Sequence, residues 1–384
     1  MTTELSSFAR RVHGFIQHCP AGCCADSGPG SRDSDFNALA VALFQLQFRC
    51  NVPYRRWCDA QGTRPESVTH WTQIPAVPAA AFKEWDLTCL APAERTRVFE
   101  SSGTTGQRPS RHFHGADSLA LYETSLWAWW RHHVPDGFVA DRCLILTPPA
   151  GQAPHSSLVH MFDFVRQQLG AGDGAFVGRV NAAGAWELDF ERLLLRVTGD
   201  GPPSTASAPD RQSQPWLVLG TAFSFVQLLD ELARRDCRLR LPVGSFVLET
   251  GGYKGRSRAL PKAGLYQLIT AWLGVPVANI VCEYGMSELS SQAYDLTGRR
   301  REGNAAEFRH FQFPNWARAR VISPETGREV EVGGTGLLRI YDLANVFSVL
   351  AIQTEDLAVR RSTGFALLGR AGAAEPRGCS LMPA

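Results

Sequence analysis

Two short stretches and a terminal cysteine carry the residue types of phosphate and acyl chemistry. Ser101-Ser102-Gly103-Thr104-Thr105-Gly106 follows the apolar, β-branched run Arg97-Val98-Phe99. A strand emptying into such a loop presents backbone N–H groups and hydroxyls that can surround phosphate oxygens. Further on comes Glu283-Tyr284-Gly285-Met286-Ser287-Glu288-Leu289, again just after an apolar run, Asn279-Ile280-Val281-Cys282. Near the end, Arg377-Gly378-Cys379-Ser380-Leu381 places a cysteine where it is well situated to accept an acyl group on a mobile arm. The Arg377 cation two residues before it favours the thiolate, the nucleophilic form.

The elements that must position these residues follow from periodicity. Apolar groups recur at helical spacing over Phe36–Phe48, and Pro53 can open a second helix at Tyr54-Arg55-Arg56-Trp57. From about residue 97 to 290, short apolar strands alternate with helical stretches: Cys143–Leu146, Trp216–Gly220 then Phe225–Arg234, Ser245–Leu248 then Leu260–Leu273, and Asn279–Cys282. The alternation predicts an α/β fold with a mostly parallel sheet covered by helices. Ligands in such sheets bind beyond the carboxyl ends of the strands. Ser102 to Gly106, Thr147-Pro148-Pro149, Thr250-Gly251-Gly252-Tyr253-Lys254 and Tyr284 to Glu288 all occupy that rim. After about Asn315 the alternating segments Ala317–Ile322, Arg328–Val332 and Leu337–Tyr341, separated by turn residues, predict a small antiparallel β-subdomain over about 315–357. We expect an irregular arm over 1–35, a core domain over 36–368 and a tail over 369–384. The Gly/Pro/Ser-rich stretch from Thr198 to Ser213 is expected to be a surface insertion.

Composition excludes several classes. In 384 residues, 39 basic and 37 acidic side chains are spread along the chain, too balanced for nucleic acid or an anionic membrane as the main partner. Any phosphate site must be local. Neither a signal-peptide pattern nor an 18-residue uncharged apolar run is present, so no transmembrane segment and a cytoplasmic location are expected. The ten cysteines lack paired metal-site spacing. There is no G-x-x-x-x-G-K-[ST], and Gly285-Met286-Ser287-Glu288-Leu289 lacks the last glycine of a nucleophile elbow.

Phe99–Gly106, Glu283–Glu288 and Thr354-Glu355-Asp356 resemble, in the same order, the phosphate-loop, adenine-loop and ribose-binding motifs of the acyl-adenylate-forming superfamily. Within it, Glu249–Arg256, Asp342-Leu343-Ala344-Asn345 and Arg377–Leu381 are similar to the acyl-protein synthetases of bacterial luminescence fatty-acid reductase complexes. The resemblance implies ATP and Mg²⁺ as cofactors and a long-chain fatty acid as substrate. It implies that Ser101, Ser102, Gly103, Thr104, Thr105 and Gly106 hold the phosphates, and that Gly251 and Gly252 pass close to the adenine. Tyr284 would lie against the adenine face, with Gly285 and Ser287 in the same motif. Glu288 would hold Mg²⁺, Asp356 would accept from the ribose hydroxyls, and Arg370 would stand at the nucleotide edge. Cys379 would accept the acyl group as a thioester, for delivery to an acyl-CoA-reductase-like subunit.

The chain departs from the superfamily pattern in two places. Gln107-Arg108-Pro109 stands where many members have Pro-Lys, so Arg108 or Arg111 must supply any positive charge there. The C-terminal lid domain with its lysine is expected to be absent or vestigial, which leaves Mg²⁺, Lys254, Arg256, Arg370 or Arg377 for the adenylation step. The residues themselves leave other roles open. Glu288 could cap a helix beginning after Met286, Asp356 could be a turn residue, and His112 and His114 alternate as on a strand, so that one could face the site. The stretch Ala222-Phe223-Ser224-Phe225-Val226 could line a slot for a fatty acid or for an aromatic acid. Two rival functions remain: transfer to coenzyme A or an amine with Cys379 a bystander, and non-catalytic binding of nucleotide or a partner.

Overall fold

The computed structural model describes residues 2–18, 29–101, 108–198, 213–252, 259–295 and 309–371. Ser102 to Gly106, the stretch from residue 199 to 212, Lys254, Arg256, Arg377 and Cys379 lie outside the described residues.

The chain opens with α1 (Thr2–Gln17), α2 (Pro29–Cys50) and α3 (Val52–Ala60). The irregular arm expected over 1–35 is therefore helical for much of its length. Leu5, Phe8, Ala9, Val12 and Ile16 recur every three or four residues and are all buried, and α1 packs along a later helix, α5 (Ala116–His133). An amphipathic stripe of this kind needs only one apolar neighbour to form a helix. At α3, Asn51 Oδ1 accepts from Tyr54 N at 3.1 Å, a side-chain cap, and Pro53 follows in the first turn.

Between α3 and α5 come β1 (Val77–Pro78), α4 (Ala81–Glu84), β2 (Arg97–Glu100) and β3 (Arg111–His114). The centre contains β4 (Cys143–Ile145), α6 (Ser157–Gln168), β5 (Gly178–Val180), β6 (Trp186–Leu188) and α7 (Phe190–Thr198). It continues with β7 (Leu217–Thr221), α8 (Ala222–Arg234), β8 (Phe246–Thr250), α9 (Lys262–Leu273) and β9 (Ile280–Tyr284). Strands β4, β7, β8 and β9 are parallel neighbours in that order. Every residue of these strands is buried, as required of strands covered on both faces. Phe246, Leu248 and Val281 join one core with α5; Val247 and Ile280 join a second core with α8 and α9.

The remaining strands are β10 (Ala293–Asp295), β11 (Phe311–Gln312), β12 (Ala317–Ile322), β13 (Thr335–Asp342), β14 (Ala351–Arg361) and β15 (Gly364–Arg370). Of the expected antiparallel strands, Ala317–Ile322 and Leu337–Tyr341 are present in β12 and β13, whereas Arg328–Val332 forms no strand and contributes only an isolated bridge from Glu329 to Ile322. The antiparallel strands differ from expectation in two further respects. They run on to Arg370, and they continue the parallel sheet edge to edge through β11 and β10, giving the order β12-β13-β14-β15-β11-β10-β9-β8-β7-β4, with β1 beside β14. In the β14–β15 pair, Asp356 faces Arg370 and Leu357 faces Gly369, but Ala358 faces Leu367. Leu368 is thus an extra residue, a β-bulge, and its neighbour Gly369 takes φ +129°, a conformation that suits glycine.

Candidate active site

The β2–β3 hairpin carries the predicted phosphate loop. Phe99 pairs with His112 and Glu100 with Arg111, so residues 102–107 connect two paired strands. At the root of that connection Ser101 and Ser110 exchange bonds: Ser101 N donates to Ser110 O at 3.2 Å and Ser110 N donates to Ser101 Oγ at 3.0 Å. Arg111, one candidate for the missing loop cation, is committed elsewhere. Its guanidinium pairs with Asp86 at 2.7 Å, alongside Arg95. Arg108 is exposed.

Beyond the ends of β8 and β9 lie Gly251, Gly252 and the segment from Tyr284 to Glu288. Gly251 and Gly252 are exposed, and Gly251 needs its lack of a side chain because φ is +70°. A Cβ at Gly285 would meet Glu283 Oε1, the end of a side chain. Tyr284 is buried against Phe311, Phe313 and Phe365 and donates its hydroxyl to Asp356 Oδ2 at 2.7 Å. Arg370 Nε stands 3.7 Å from the other Asp356 oxygen while its side chain remains 75% exposed. Asp356 lies within β14, so it is not a turn residue. Burial raises its carboxyl, against the pull of the Tyr284 bond and of Arg370.

Glu288 is buried, and no helix begins after Met286, so it is not a helix cap. Burial raises its pKa above the usual carboxylate range; Ser110 and Arg370 act in the opposite direction. The structure therefore brings together, from segments far apart in sequence, Ser101 beside Ser110, the segment from Tyr284 to Glu288, Asp356 and Arg370; Gly251 and Gly252 follow the end of β8, whose Thr250 pairs with Glu283.

Several supporting residues were given no role by sequence reasoning. Asn345 Nδ2 donates to Glu288 O at 2.9 Å. Asp342 accepts from Ser290 N at 2.9 Å and from Ser291 Oγ at 2.7 Å. Burial pushes the Asp342 carboxyl up to about 6. Both belong to the Asp342-Leu343-Ala344-Asn345 run, which the resemblance marked as a motif without assigning its residues a role. His112 and His114 both point inward rather than one toward each side, because residues two apart on a strand share a face. Of the stretch proposed to line an acyl slot, Ala222, Ser224, Phe225 and Val226 are buried in α8, and Phe223 alone is partly exposed.

The residues suit a magnesium–nucleotide pair. Among the described residues no group of three or more His, Cys, Asp or Glu could hold a metal by itself. A lone buried carboxylate such as Glu288 fits Mg²⁺, which takes one or two carboxylates and fills its remaining positions with phosphate oxygens and water.

The fold is that of the adenylate-forming ligases, a mixed α/β architecture around one large sheet. The resemblance is to solved structures of 2-hydroxyisobutyryl-CoA ligase. In complex with 2-HIB-AMP and CoA in the thioesterification state, that enzyme superposes with TM-score 0.63 at 15% identity, over 92% of this chain and 72% of the other. Its postadenylation state with R3-HIB-AMP gives 0.62 at 14% identity, over 91% and 73%. No protein-family model and no curated protein sequence matches the chain. No helix among the described residues is long and apolar enough to cross a membrane.

Proposed function

We propose that this chain uses ATP to activate a carboxylic acid as an acyl-adenylate and then passes the acyl group to a thiol. One observation carries the reading: Tyr284, Asp356, Arg370 and Glu288 converge beyond the ends of β8 and β9, beside the hairpin root at Ser101 and Ser110. Asp356, held by Tyr284 and flanked by Arg370, is set to accept from ribose hydroxyls. Gly251, Gly252 and Gly285 let a flat base approach the backbone. The Ser101–Gly106 loop would hold the phosphates, and Glu288 would hold Mg²⁺, whose charge offsets that of the phosphate oxygens when bound.

In the reaction, a carboxylate oxygen of the acid attacks the α-phosphorus of ATP and the bond to pyrophosphate breaks. Groups fixed before the reaction are the ones that favour the charge developing on the departing oxygen. A thiolate then attacks the carbonyl carbon of the mixed anhydride and AMP leaves. We read the acid as a long-chain fatty acid and the thiol as Cys379, with an acyl-CoA-reductase-like partner receiving the thioester. The Arg377-Gly378-Cys379 motif and its resemblance support this reading. Coenzyme A is the second reading for the thiol, favoured by the fold shared with ligases solved with CoA.

Incubation of the full chain with ATP, Mg²⁺ and radiolabelled tetradecanoate, for wild type and Cys379→Ala, tests both steps. The expected outcome is hydroxylamine-labile label on wild type alone. Equal label on both would remove Cys379 as acceptor. Carboxylate-dependent pyrophosphate exchange without protein label would favour coenzyme A, and no exchange with any acid tested would overturn the adenylation reading.

A further inference from the structure

We propose that His112 is a positioning residue that, together with Asn345, sets the direction of Glu288; this inference rests on the adenylation reading above. Peptide units are planar, so the φ and ψ of a residue are fixed once the planes before and after it are fixed. The Ser287 carbonyl lies in the plane before Glu288, and it accepts from His112 Nδ1 at 2.9 Å. The Glu288 carbonyl lies in the plane after, and it accepts from Asn345 Nδ2 at 2.9 Å. The two side chains therefore hold both planes and with them the Cα–Cβ direction of the carboxylate, without either being assigned to ATP.

Both anchors are themselves fixed. His112 sits in β3 opposite Phe99, with its ring 4.2 Å from that of His114 and edge-on to Phe82 at 6.2 Å. Asn345 O accepts from Gln47 Nε2 at 2.8 Å, and Asn345 N donates to Asp342 O at 3.1 Å. A carbonyl oxygen can only accept, so His112 Nδ1 must carry the hydrogen. Burial lowers the imidazole to about 4, so at pH 7 the ring is neutral and held in one tautomer. His112 also lies two residues from Ser110, at the root of the phosphate loop. The bond to Ser287 thereby ties the hairpin that would grip the phosphates to the loop that would grip their metal.

Calorimetric titration of the full chain with ATP, with and without MgCl₂, reads this clamp apart from catalysis. Wild type should bind ATP more tightly with Mg²⁺. His112→Leu should lower the ratio of the two affinities, with and without Mg²⁺, about tenfold, the size expected when a group orienting a metal ligand is removed. His112→Asn places an amide donor where Nδ1 stood and should recover most of the enhancement. In a Glu288→Gln background, His112→Leu should have no further effect. Should the leucine variant fail to fold, His112→Gln, whose donor lies one bond too far out, takes its place with the same expectation. An intact Mg²⁺ enhancement in a folded Leu or Gln variant would overturn the proposal, as would an Asn variant no better than Leu. Absence of Mg²⁺-dependent ATP binding in wild type would instead overturn the adenylation reading, and the clamp with it.

Discussion

On one face of β8, β9 and β10, neighbouring positions bring together Glu249, Cys282 and Asp295, and cations accompany them. Lys262 reaches the Cys282 thiol and stands 3.7 Å from Glu249, Tyr266 donates to Glu249 at 3.2 Å, and Arg309 pairs with Asp295 at 2.7 Å. One residue along each strand, on the face shared with α5, lie Thr250, Glu283 and Tyr294. There Thr250 donates to Glu283, and among the described residues Glu283 forms no ion pair. Burial pushes its carboxyl from an ordinary 4.5 up to about 7. The first face neutralises its acids with fixed cations, the second with a proton. The face that opens toward Gly285 is accordingly the one whose charge changes near neutral pH.

Removing a cation from the first face should have the largest effect. Arg309→Met removes the guanidinium that pairs with buried Asp295 and also removes donors to Val277 O and Ile280 O. A loss of about 3–5 kcal/mol in urea denaturation is expected; a loss below about 1 kcal/mol would mean that the pair is not what balances Asp295.

On the second face the effect should depend on pH. Folded Glu283 keeps its proton to higher pH than the unfolded chain does, so wild type loses stability as pH rises from about 4.5 to about 7. Glu283→Gln cannot ionise and can still accept from Thr250. Its stability relative to wild type should therefore increase across that interval by at most about 3.5 kcal/mol, each tenfold change in proton affinity being worth about 1.4 kcal/mol. Parallel urea-stability profiles at pH 5 and pH 8 would contradict this.

The smallest effect concerns His114, fully buried under α5, whose ring nitrogens meet no hydrogen-bond partner of good geometry among the described residues. His114→Phe keeps an aromatic ring beside Phe99 and Tyr122 and removes two buried polar groups. It should stabilise the protein by about 1 kcal/mol at pH 7. A loss above about 2 kcal/mol in the melting analysis would show that the imidazole makes a contact worth keeping.

Much of the site was legible because it depends on short-range patterns. A strand followed by a Ser/Gly/Thr loop, and the loops after Thr250 and Glu283, marked the candidate rim, while Glu288, Asp356 and Arg370 entered through the motif resemblance. The helix α1 was legible too: Leu5, Phe8, Val12 and Ile16 show its stripe, but the Cys/Gly/Pro-rich residues after it drew the whole arm into one irregular reading. What sequence could not supply was pairing. That β11 joins the antiparallel strands to the parallel ones, that Asn345 reaches Glu288 across 57 positions, and that His112 meets Ser287 are all consequences of register between distant segments. The hydrogen bonds around Ser287 to Ser291 come from β3, from α5, from the last residue of β13 and from the turn after it, and no local periodicity encodes such a meeting.

The bulge at Leu368 bears on how this chain tolerates changes in length. Arg361 faces Gly364 at one end of the β14–β15 ladder and Asp356 faces Arg370 at the other. Between those two fixed pairs, β15 carries one residue more than β14. Deleting Leu368, which is 58% exposed, would let Leu367 and Gly369 close up opposite Ala358 and Leu357, and Arg370 would still meet Asp356. The same loss from β14 would instead widen the mismatch to two residues and carry Asp356 out of step with Arg370. The two strands are thus unequal before a one-codon deletion: β15 holds a spare link, and β14 holds none.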